Sequence, residues 1–333
     1  MDEHPFAPFV RALGKGPHLS RPLSQAETAQ AAGMVMRGEV EPVQLGAFLC
    51  LLRVKTETPE EVAGFVEGIR PTLARPLAAV RVDLDWPTYA GKGRQLPWFL
   101  LAALLLASHG VKVLMHGAAG HTAGRLYVAD ALPALGLAPA ASLDAAAAQV
   151  AAHNFAYLPL PALSPRLDEI MALKPLLGLR SPLHTVARKL NPLGARAQML
   201  SVSHPPYIAV HMKAAALLGQ PRMAIFKGEG GEAERRPHKT QTVHRLSDGA
   251  TFETDWPPLL DGPPPGPEAD MDPARLAALW RGQESNPLGE AAVIGSAAIA
   301  LELLGRADSP AEADALARTL WAERPPALPG QTT

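Results

Sequence analysis

The sequence predicts an α/β protein in which a small all-α N-terminal domain precedes a larger α/β domain with a mainly parallel central sheet. Residues 1–75 carry helical patterns only. From residue 80 onward, strand patterns alternate with helical ones, an order typical of parallel strands connected by helices. The chain of 333 residues, 47% of them hydrophobic, is long enough for two domains with a large core.

The N-terminal segment contains clear helix starts. Ser24 and Glu27 form a capping-box pattern before an apolar stretch. Residues 43–52, after Pro42, are nearly all apolar and predict a buried helix. Thr58 is followed by a proline and two glutamates, which predicts the start of another helix. Three or four packed helices are therefore expected here.

The alternating part begins at residues 80–84, where apolar and polar residues follow each other with a period of two. Further strands are predicted at residues 111–115, 155–158, 197–202 and 222–227. Helical patterns cover residues 96–108, 143–152, 166–190 and 206–218. This order predicts a sheet whose strands run parallel.

A proline-rich loop at residues 261–267 separates the sheet from the C-terminal tail. In the tail, Pro273 and the capping-box pattern of Ser309 and Glu312 mark helix starts. Residues 291–304 are rich in alanine and predict a further helix. The tail is therefore expected to be helical.

The composition excludes several classes of protein. With 31 basic and 32 acidic residues the formal charge is −1, so a nucleic-acid site has to be a local patch. Cys50 is the only cysteine, which rules out an internal disulfide and indicates a reducing cytoplasm. The most apolar run, residues 96–107, is shorter than the ~20 residues of a membrane-spanning helix. Hydrolase, zinc-protease, kinase and dinucleotide-binding motifs are absent from the sequence.

Several segments resemble a known family. Residues 38–49 and 55–64 match its N-terminal helical signature almost position by position. Residues 179–184, which lead to Asn191 and Pro192, resemble the segment I-R-T-x-F-N-x-L-G-P-L-x-N-P. The chain is thus similar to the anthranilate phosphoribosyltransferases (TrpD). Residues 183–193 resemble a branch often labelled YbiB-like, which is associated with nucleic-acid binding.

This resemblance implies the nucleoside phosphorylase/phosphoribosyltransferase fold. Residues 1–75 plus about 163–195 would form the small helical domain, and residues 76–162 plus 196–333 the α/β domain. The family dimerises through its helical domain, which implies a homodimer with Leu45, Phe48 and Leu49 as candidate contacts. The alternative is that these three side chains belong to the core of a single chain.

The loop that should bind the phosphoribosyl donor is altered. Family members hold the pyrophosphate of phosphoribosyl pyrophosphate (PRPP) with a G-T-G-G-D loop, whose glycines let backbone N–H groups approach the phosphate. This loop falls on residues 87–91, where only Thr88 agrees. Lys92 and Arg94 follow directly and are candidates for binding phosphate. The alternative is a strand-to-helix turn with incidental basic residues.

Two further family motifs are altered as well. The K-H-G-N-R loop aligns with residues 115–119, where His116 is retained as a candidate ligand residue, and a flexible turn follows at 120–125. A plain strand-to-helix connection is the alternative. The D-E pair that holds magnesium is replaced by residues 229–234, in which Glu229 and Glu232 are the candidate metal ligands. Magnesium would be bound only together with a phosphoribosyl donor, and a solvated acidic loop is the alternative.

Basic residues suggest a different ligand. Lys174 takes the place of the arginine that the family uses for anthranilate, and a lysine lacks the bidentate fork that recognises a carboxylate. The candidate phosphate-binding residues in the basic stretches are Lys174, Arg180, Arg188, Lys189, Lys227, Arg235, Arg236 and Lys239. Helix-turn-helix, zinc-finger and RNP patterns are absent from the sequence, so electrostatic binding with low sequence specificity is expected. A solvated basic face is the alternative.

These patterns favour one function and leave two others open. The favoured one is a protein that binds DNA or RNA on a phosphoribosyltransferase scaffold whose donor and anthranilate sites are degenerate. The alternative is a PRPP- and magnesium-dependent glycosyl- or phosphoribosyltransferase that acts on an unidentified acceptor. A nucleoside phosphorylase is a weaker alternative, because the lysine and serine donors that such enzymes place in the second loop are absent.

Overall fold

The computed structural model describes residues 2–74, 76–77, 79–120, 122–263 and 266–331. Within these ranges, a helical N-terminal region is followed by a seven-stranded sheet with its helices. The predicted fold class is confirmed. In the same ranges, none of the helices combines the length and the apolar character that a membrane span requires.

The N-terminal region is built from helices that begin where the sequence predicts. Its α-helices are α1 (Ala7–Gly14), α2 (Gln25–Met36), α3 (Pro42–Lys55) and α4 (Pro59–Ile69). Glu27 N donates to Ser24 Oγ at 3.2 Å, and Ser24 N donates to the Glu27 carboxylate at 2.8 Å. Thr58 and Glu61 make the same exchange at the start of α4. Each capping box satisfies amide groups that the helix itself leaves unpaired.

The apolar face of α3 lies inside this region. The Phe48 ring is 5.1 Å from Phe6 and 6.0 Å from Phe65, measured between ring centres. Leu45 and Leu49 are buried in the same core. These side chains therefore belong to the core of the single chain, which corrects their interpretation as dimer contacts. Dimerisation itself stays a prediction.

The central sheet has the order β3-β2-β1-β4-β5-β6-β7. Its strands are β1 (Leu84–Thr88), β2 (Val113–Gly117), β3 (Phe155–Pro159), β4 (Ala197–Val202), β5 (Arg222–Lys227), β6 (Gln241–Ser247) and β7 (Ala250–Trp256). The first five strands run parallel, and β6 and β7 are antiparallel. β4 and β5 have the bounds that the sequence predicts.

The first strand forms further along the chain than the alternating pattern predicts. Residues 80–83 only approach the sheet, and β1 begins at Leu84. Leu84 and Asp85 pair with both β2 and β4, whereas the rest of β1 pairs with β2 alone. Pro87, which has no N–H to donate, lies in this one-sided part. Val82 is buried although it precedes the strand. This burial explains why apolar and polar residues already alternate before β1 begins.

The hairpin of β6 and β7 was not predicted, although the sequence contains a signal for it. Asp248 and Gly249 connect the two strands with φ values of 45° and 90°. Asp-Gly is a preferred pair for tight hairpin turns, because both positions need positive φ. The hairpin extends the sheet by two antiparallel strands beyond β5.

Helices cover both faces of the sheet. They are α5 (Trp98–Ser108), α6 (Val128–Ala131), α7 (Leu143–His153), α8 (Leu160–Leu163), α9 (Pro165–Met171), α10 (Lys174–Leu177), α11 (Leu183–Val186), α12 (Pro206–Leu217), α13 (Ala274–Trp280), α14 (Pro287–Leu303) and α15 (Pro310–Ala322). α5 and α14 pack together on one face of the sheet.

The short helices α9, α10 and α11 and a 3-10 helix at Ala187–Lys189 replace the single long helix predicted at residues 166–190. Leu167 and Val186 share one core with Phe48 and Val66 of the N-terminal helices. This segment therefore packs with the helical region, as the domain assignment expects, while the exact domain boundaries stay predictions. A cleft lies where the segment meets the carboxyl end of β4.

Candidate anion-binding cleft

The loop after β1 is held by a carboxylate of the chain itself. Ala90 N and Gly91 N both donate to Glu232 Oε1 at 2.6 Å. Glu232 is fully buried, and burial raises its pKa, while the charge of Arg188 and the two amide bonds lower it. In the family's phosphate-binding loop, which aligns with residues 87–91, the corresponding amides are expected to bind the donor's phosphate. The Glu232 carboxylate occupies them in this structure.

The first predicted phosphate ligand of this loop is paired inside the protein. Lys92 Nζ lies 2.5 Å from Glu234 Oε1, and both side chains are buried. Glu234 also accepts a hydrogen bond from Phe99 N at 2.9 Å. Burial raises the pKa of Glu234, and the charge of Lys92 opposes this shift. Lys92 therefore stabilises the loop, which corrects the expectation that it faces a ligand.

Arg94 and Arg125 lie close to the same loop. Arg94 is exposed, as a surface ligand for phosphate would have to be. The Arg125 guanidinium donates to Ala90 O at 2.8 Å and to Gly230 O at 3.2 Å. It thereby connects the loop after β1 to the loop that carries Glu232. In the turn at residues 120–125, His121 lies outside the described residues.

His116 belongs to a buried polar network. Tyr89 Oη and His116 Nδ1 are 2.8 Å apart, and His116 Nε2 lies 3.3 Å from Asp85 Oδ1. Gln198 Nε2 donates to Asp85 Oδ2 at 2.7 Å, and Lys189 Nζ donates to Gln198 Oε1 at 3.1 Å. All five side chains are buried. His116 and Lys189 are therefore inside the fold, which corrects their assignment as phosphate-binding residues.

The described residues do not form a metal-binding cluster around the predicted ligands Glu229 and Glu232. Glu232 Oε1 accepts the two loop amides, and Glu229 is half-buried in the same loop. Among the described residues there is no group of three histidine, cysteine or acidic side chains that could hold a metal ion. Magnesium binding at Glu229 and Glu232 stays a prediction.

A cation-rich cleft lies beside this loop, between the helical region and the carboxyl end of β4. Its volume is about 210 Å³. The basic side chains that line it are Arg53, Arg180, Arg188, His184, His204 and His211, and none of its described lining residues is acidic. Hydroxyl groups of Ser181, Thr185, Ser201, Ser203 and Tyr207 complete the lining. The cleft therefore offers cations and hydroxyl donors to a ligand.

Three arginines are positioned in this cleft by different elements. Arg188 donates to Gly231 O at 2.9 Å and is half-buried; burial lowers its pKa, and the charge of Glu232 raises it. Arg180 is exposed and donates to Thr122 Oγ1 at 2.9 Å. Arg53, in the last turn of α3, donates to Tyr207 Oη at 3.3 Å.

Two buried polar atoms of the cleft have no hydrogen-bond partner among the described residues. They are Ser181 Oγ and His211 Nδ1. The two side chains are 6% and 2% exposed. The pKa of His211 lies well below its ordinary value, because the side chain is buried and because Lys189 and Arg188 are nearby cations. The ring is thus neutral at pH 7 and can exchange hydrogen bonds with a ligand.

Comparison with known proteins assigns the scaffold. The family model described as the glycosyl transferase family, helical bundle domain, matches residues 7–72, and that of the α/β domain matches residues 99–322. The chain belongs to this glycosyl transferase family. The second model alone covers most of the sheet and of the helical tail.

Relatives of this chain include both groups that the sequence resembles. The chain is 33% identical over 253 residues to the anthranilate phosphoribosyltransferase of Oleidesulfovibrio alaskensis, covering 74% of this chain and 75% of the relative. It is 26% identical over 242 residues to the uncharacterised protein YbiB of Escherichia coli K12, covering 72% and 75%. The crystal structure of anthranilate phosphoribosyltransferase from Thermus thermophilus superposes with a TM-score of 0.80 at 25% identity, over 96% and 95% of the two chains.

The other predicted basic residues of this family member are spread over the surface and the interior. Arg235 is buried, pairs with Asp314 at 2.6 Å and lies 4.8 Å from the Trp256 ring centre. Arg235 is therefore structural, which corrects its assignment as a phosphate ligand. Lys227 and Lys239 are exposed, and Lys174 and Arg236 are half-buried. Of the predicted ligands, the cleft lining includes only Arg180 and Arg188.

Sequence reasoning missed several cleft residues. Arg53 belongs to the N-terminal helices, and His184, His204 and His211 are scattered without a ligand spacing. No local pattern marks them, because three separate segments bring them together.

Proposed function

We propose that this protein binds nucleic acid through the phosphate backbone, with low sequence specificity, in the cleft described above. The observation that carries the proposal is the charge of the cleft. The guanidinium groups of Arg53, Arg180 and Arg188 line it, and its described lining contains no carboxylate. Guanidinium groups bind phosphate strongly because their donors match its oxygens in pairs.

The buried polar atoms of the cleft support the same ligand. Ser181 Oγ and His211 Nδ1 lack partners among the described residues, in a setting where an unpaired polar atom is costly. A phosphate or sugar oxygen supplies the missing partner. Tyr207 is half-buried at the edge of the cleft, where its ring can stack on a base without reading the sequence.

The same geometry argues against the donor of the related transferases. The amides of Ala90 and Gly91 already hold the Glu232 carboxylate, and Lys92 is neutralised by Glu234. A pyrophosphate would have to displace Glu232 at the cost of a buried, unpaired carboxylate. The similarity to anthranilate phosphoribosyltransferases nevertheless favours a second candidate, the magnesium-dependent transfer of a phosphoribosyl group to an acceptor other than anthranilate.

Two titrations separate the candidates. In the first, a fluorescent single-stranded oligonucleotide of mixed sequence, as DNA and as RNA, is titrated with the protein at low and at raised salt. In the second, phosphoribosyl pyrophosphate with magnesium is titrated by calorimetry. We expect oligonucleotide binding that weakens with salt by a slope of about −0.7 per contacted phosphate, without donor binding. Donor binding without oligonucleotide binding would reject the proposal in favour of the transferase.

Variants locate the binding surface. Arg180→Ala and Arg53→Ala should each weaken oligonucleotide binding and reduce the salt slope by about one phosphate contact. Arg281→Ala is the matched control, because Arg281 is also exposed and lies outside the cleft. If Arg180→Ala and Arg53→Ala bind the oligonucleotide as tightly as Arg281→Ala does, the oligonucleotide does not bind in the cleft.

A further inference from the structure

A second basic cavity lies at the opposite end of the parallel strands. Its volume is about 690 Å³, and it is formed where β1, β4 and β5 begin and where α14 ends. Four arginines from four different segments line it: Arg81, Arg196, Arg222 and Arg306. The cleft described above lies at the other end of β4, about 16 Å away at 3.3 Å per residue. The two cavities are therefore separate.

The charges in this cavity are not balanced within the described residues. Asp83 is the only acidic residue of its described lining, and this carboxylate already lies 3.4 Å from Arg81 and accepts Lys112 N at 3.0 Å. Arg222 donates to Leu303 O at 3.4 Å. The guanidinium groups of Arg196 and Arg306 are exposed, and the described residues provide neither with an ion pair or a hydrogen bond. The cavity thus keeps a strong excess of positive charge.

Apolar side chains form another part of the wall. Val80, Leu193 and Leu304 are half-buried and line the same cavity as the arginines. A site with guanidinium groups beside an apolar wall suits a ligand that carries phosphate at one end and a flat, weakly polar group at the other. The volume lies within the range of small-molecule sites, roughly 300–1,000 Å³. A nucleotide has this chemistry and this size.

We propose that this cavity binds a nucleotide, with the phosphates on Arg196, Arg222 and Arg306 and the base against the apolar wall. Arginine contributes paired hydrogen bonds to phosphate oxygens, so three guanidinium groups can hold a di- or triphosphate chain. The proposal does not depend on oligonucleotide binding in the cleft. It adds a site for a small ligand at the amino end of the sheet.

The test is calorimetric titration of the full chain with magnesium-free ATP, with adenosine and with inorganic triphosphate. We expect ATP to bind more tightly than inorganic triphosphate, and adenosine to bind weakest. Arg196→Ala and Arg306→Ala should each lower the affinity for ATP about tenfold. Both side chains are exposed and form no ion pair or hydrogen bond with the described part of the chain, so these variants should keep the thermal midpoint of the wild type.

Two controls locate the site. Arg281→Ala removes an exposed arginine elsewhere, and Arg180→Ala removes one from the cleft. Neither should change the affinity for ATP. Loss of ATP binding in Arg180→Ala but not in Arg196→Ala would overturn the proposal, because the nucleotide would then occupy the cleft. Absence of ATP binding, or inorganic triphosphate binding as tightly as ATP, would overturn it as well.

Discussion

The Glu232 carboxylate is the group whose removal tests the reasoning about the site most directly. It accepts hydrogen bonds from Ala90 N and Gly91 N, both at 2.6 Å, and all three residues are buried. Glu232→Ala removes the acceptor and leaves two buried amides without a partner, at about 1–3 kcal/mol each. The free energy of unfolding should therefore fall by about 2–6 kcal/mol.

A second variant separates the charge from the hydrogen bonds. Glu232→Gln keeps one oxygen for the two amides and loses the negative charge. Because burial raises the pKa of Glu232, removing the charge recovers part of its desolvation cost, which offsets the weaker bonds. We expect a loss below about 2 kcal/mol. Glu229→Ala, in the same loop but half-buried, is the control for a lost carboxylate and should stay within about 0.5 kcal/mol of the wild type.

Urea unfolding followed by circular dichroism measures these differences, and inorganic phosphate adds a second readout. In Glu232→Ala, the freed amides beside Arg188 form a site for an anion, so phosphate should stabilise this variant more than the wild type. A ligand at 100 times its Kd contributes about 2.7 kcal/mol. An alanine variant as stable as the wild type would refute the reasoning. So would phosphate stabilising both proteins equally.

Two further changes test a buried charge near the cleft and the packing of the helical region. Burial lowers the pKa of Lys189 to about 7, so above that pH the unfolded state binds more protons than the folded state. The unfolding free energy of the wild type, relative to that of Lys189→Met, should therefore rise by about 1.4 kcal/mol per pH unit from about pH 7 to 9. Urea unfolding at several pH values measures both proteins, and an equal pH dependence of their unfolding free energies would contradict this. Gly64→Ala puts a Cβ 2.3 Å from Gln25 O, where α2 crosses α4, and should cost about 1–3 kcal/mol. Gly46→Ala is the control: the new Cβ has a Leu177 methyl at 3.8 Å as its nearest contact, so the thermal midpoint of this variant should stay at or above that of the wild type. If Gly64→Ala has the same thermal midpoint as Gly46→Ala, α2 and α4 do not cross as closely as the structure indicates.

Short-range signals in the sequence determined the order of the elements. Ser24 and Glu27 are three residues apart, and their side chains alone specify where α2 begins. The apolar runs of β4 and β5 have the bounds predicted for them. The family resemblance also depends on linear segments, and the matching family models confirm it. In each case the deciding residues lie close together in the chain.

The hairpin of β6 and β7 was missed although its Asp248-Gly249 signal is local, whereas the other failures of prediction arise where distant segments meet. β1 starts four residues later than its pattern indicates, because its start depends on pairing with β2 and β4 rather than on alternation. The prediction that Lys92 in the loop after β1 binds phosphate was wrong for the same reason. Lys92 is paired with Glu234, 142 residues away, and the amide of Ala90 with Glu232 at the same separation.

The sequence by itself determined the family, the helical and α/β parts and the bounds of a few elements such as β4 and β5, because these follow from local capping and periodicity. Only the tertiary structure decided which basic side chains face solvent. A lysine or arginine has the same pattern in the sequence whether it is solvated or buried, and its burial requires a partner that compensates the charge or a pKa shift that favours the neutral form. Arg235 has such a partner in Asp314, whereas Arg53 meets Tyr207 at the cleft, 154 residues further along the chain.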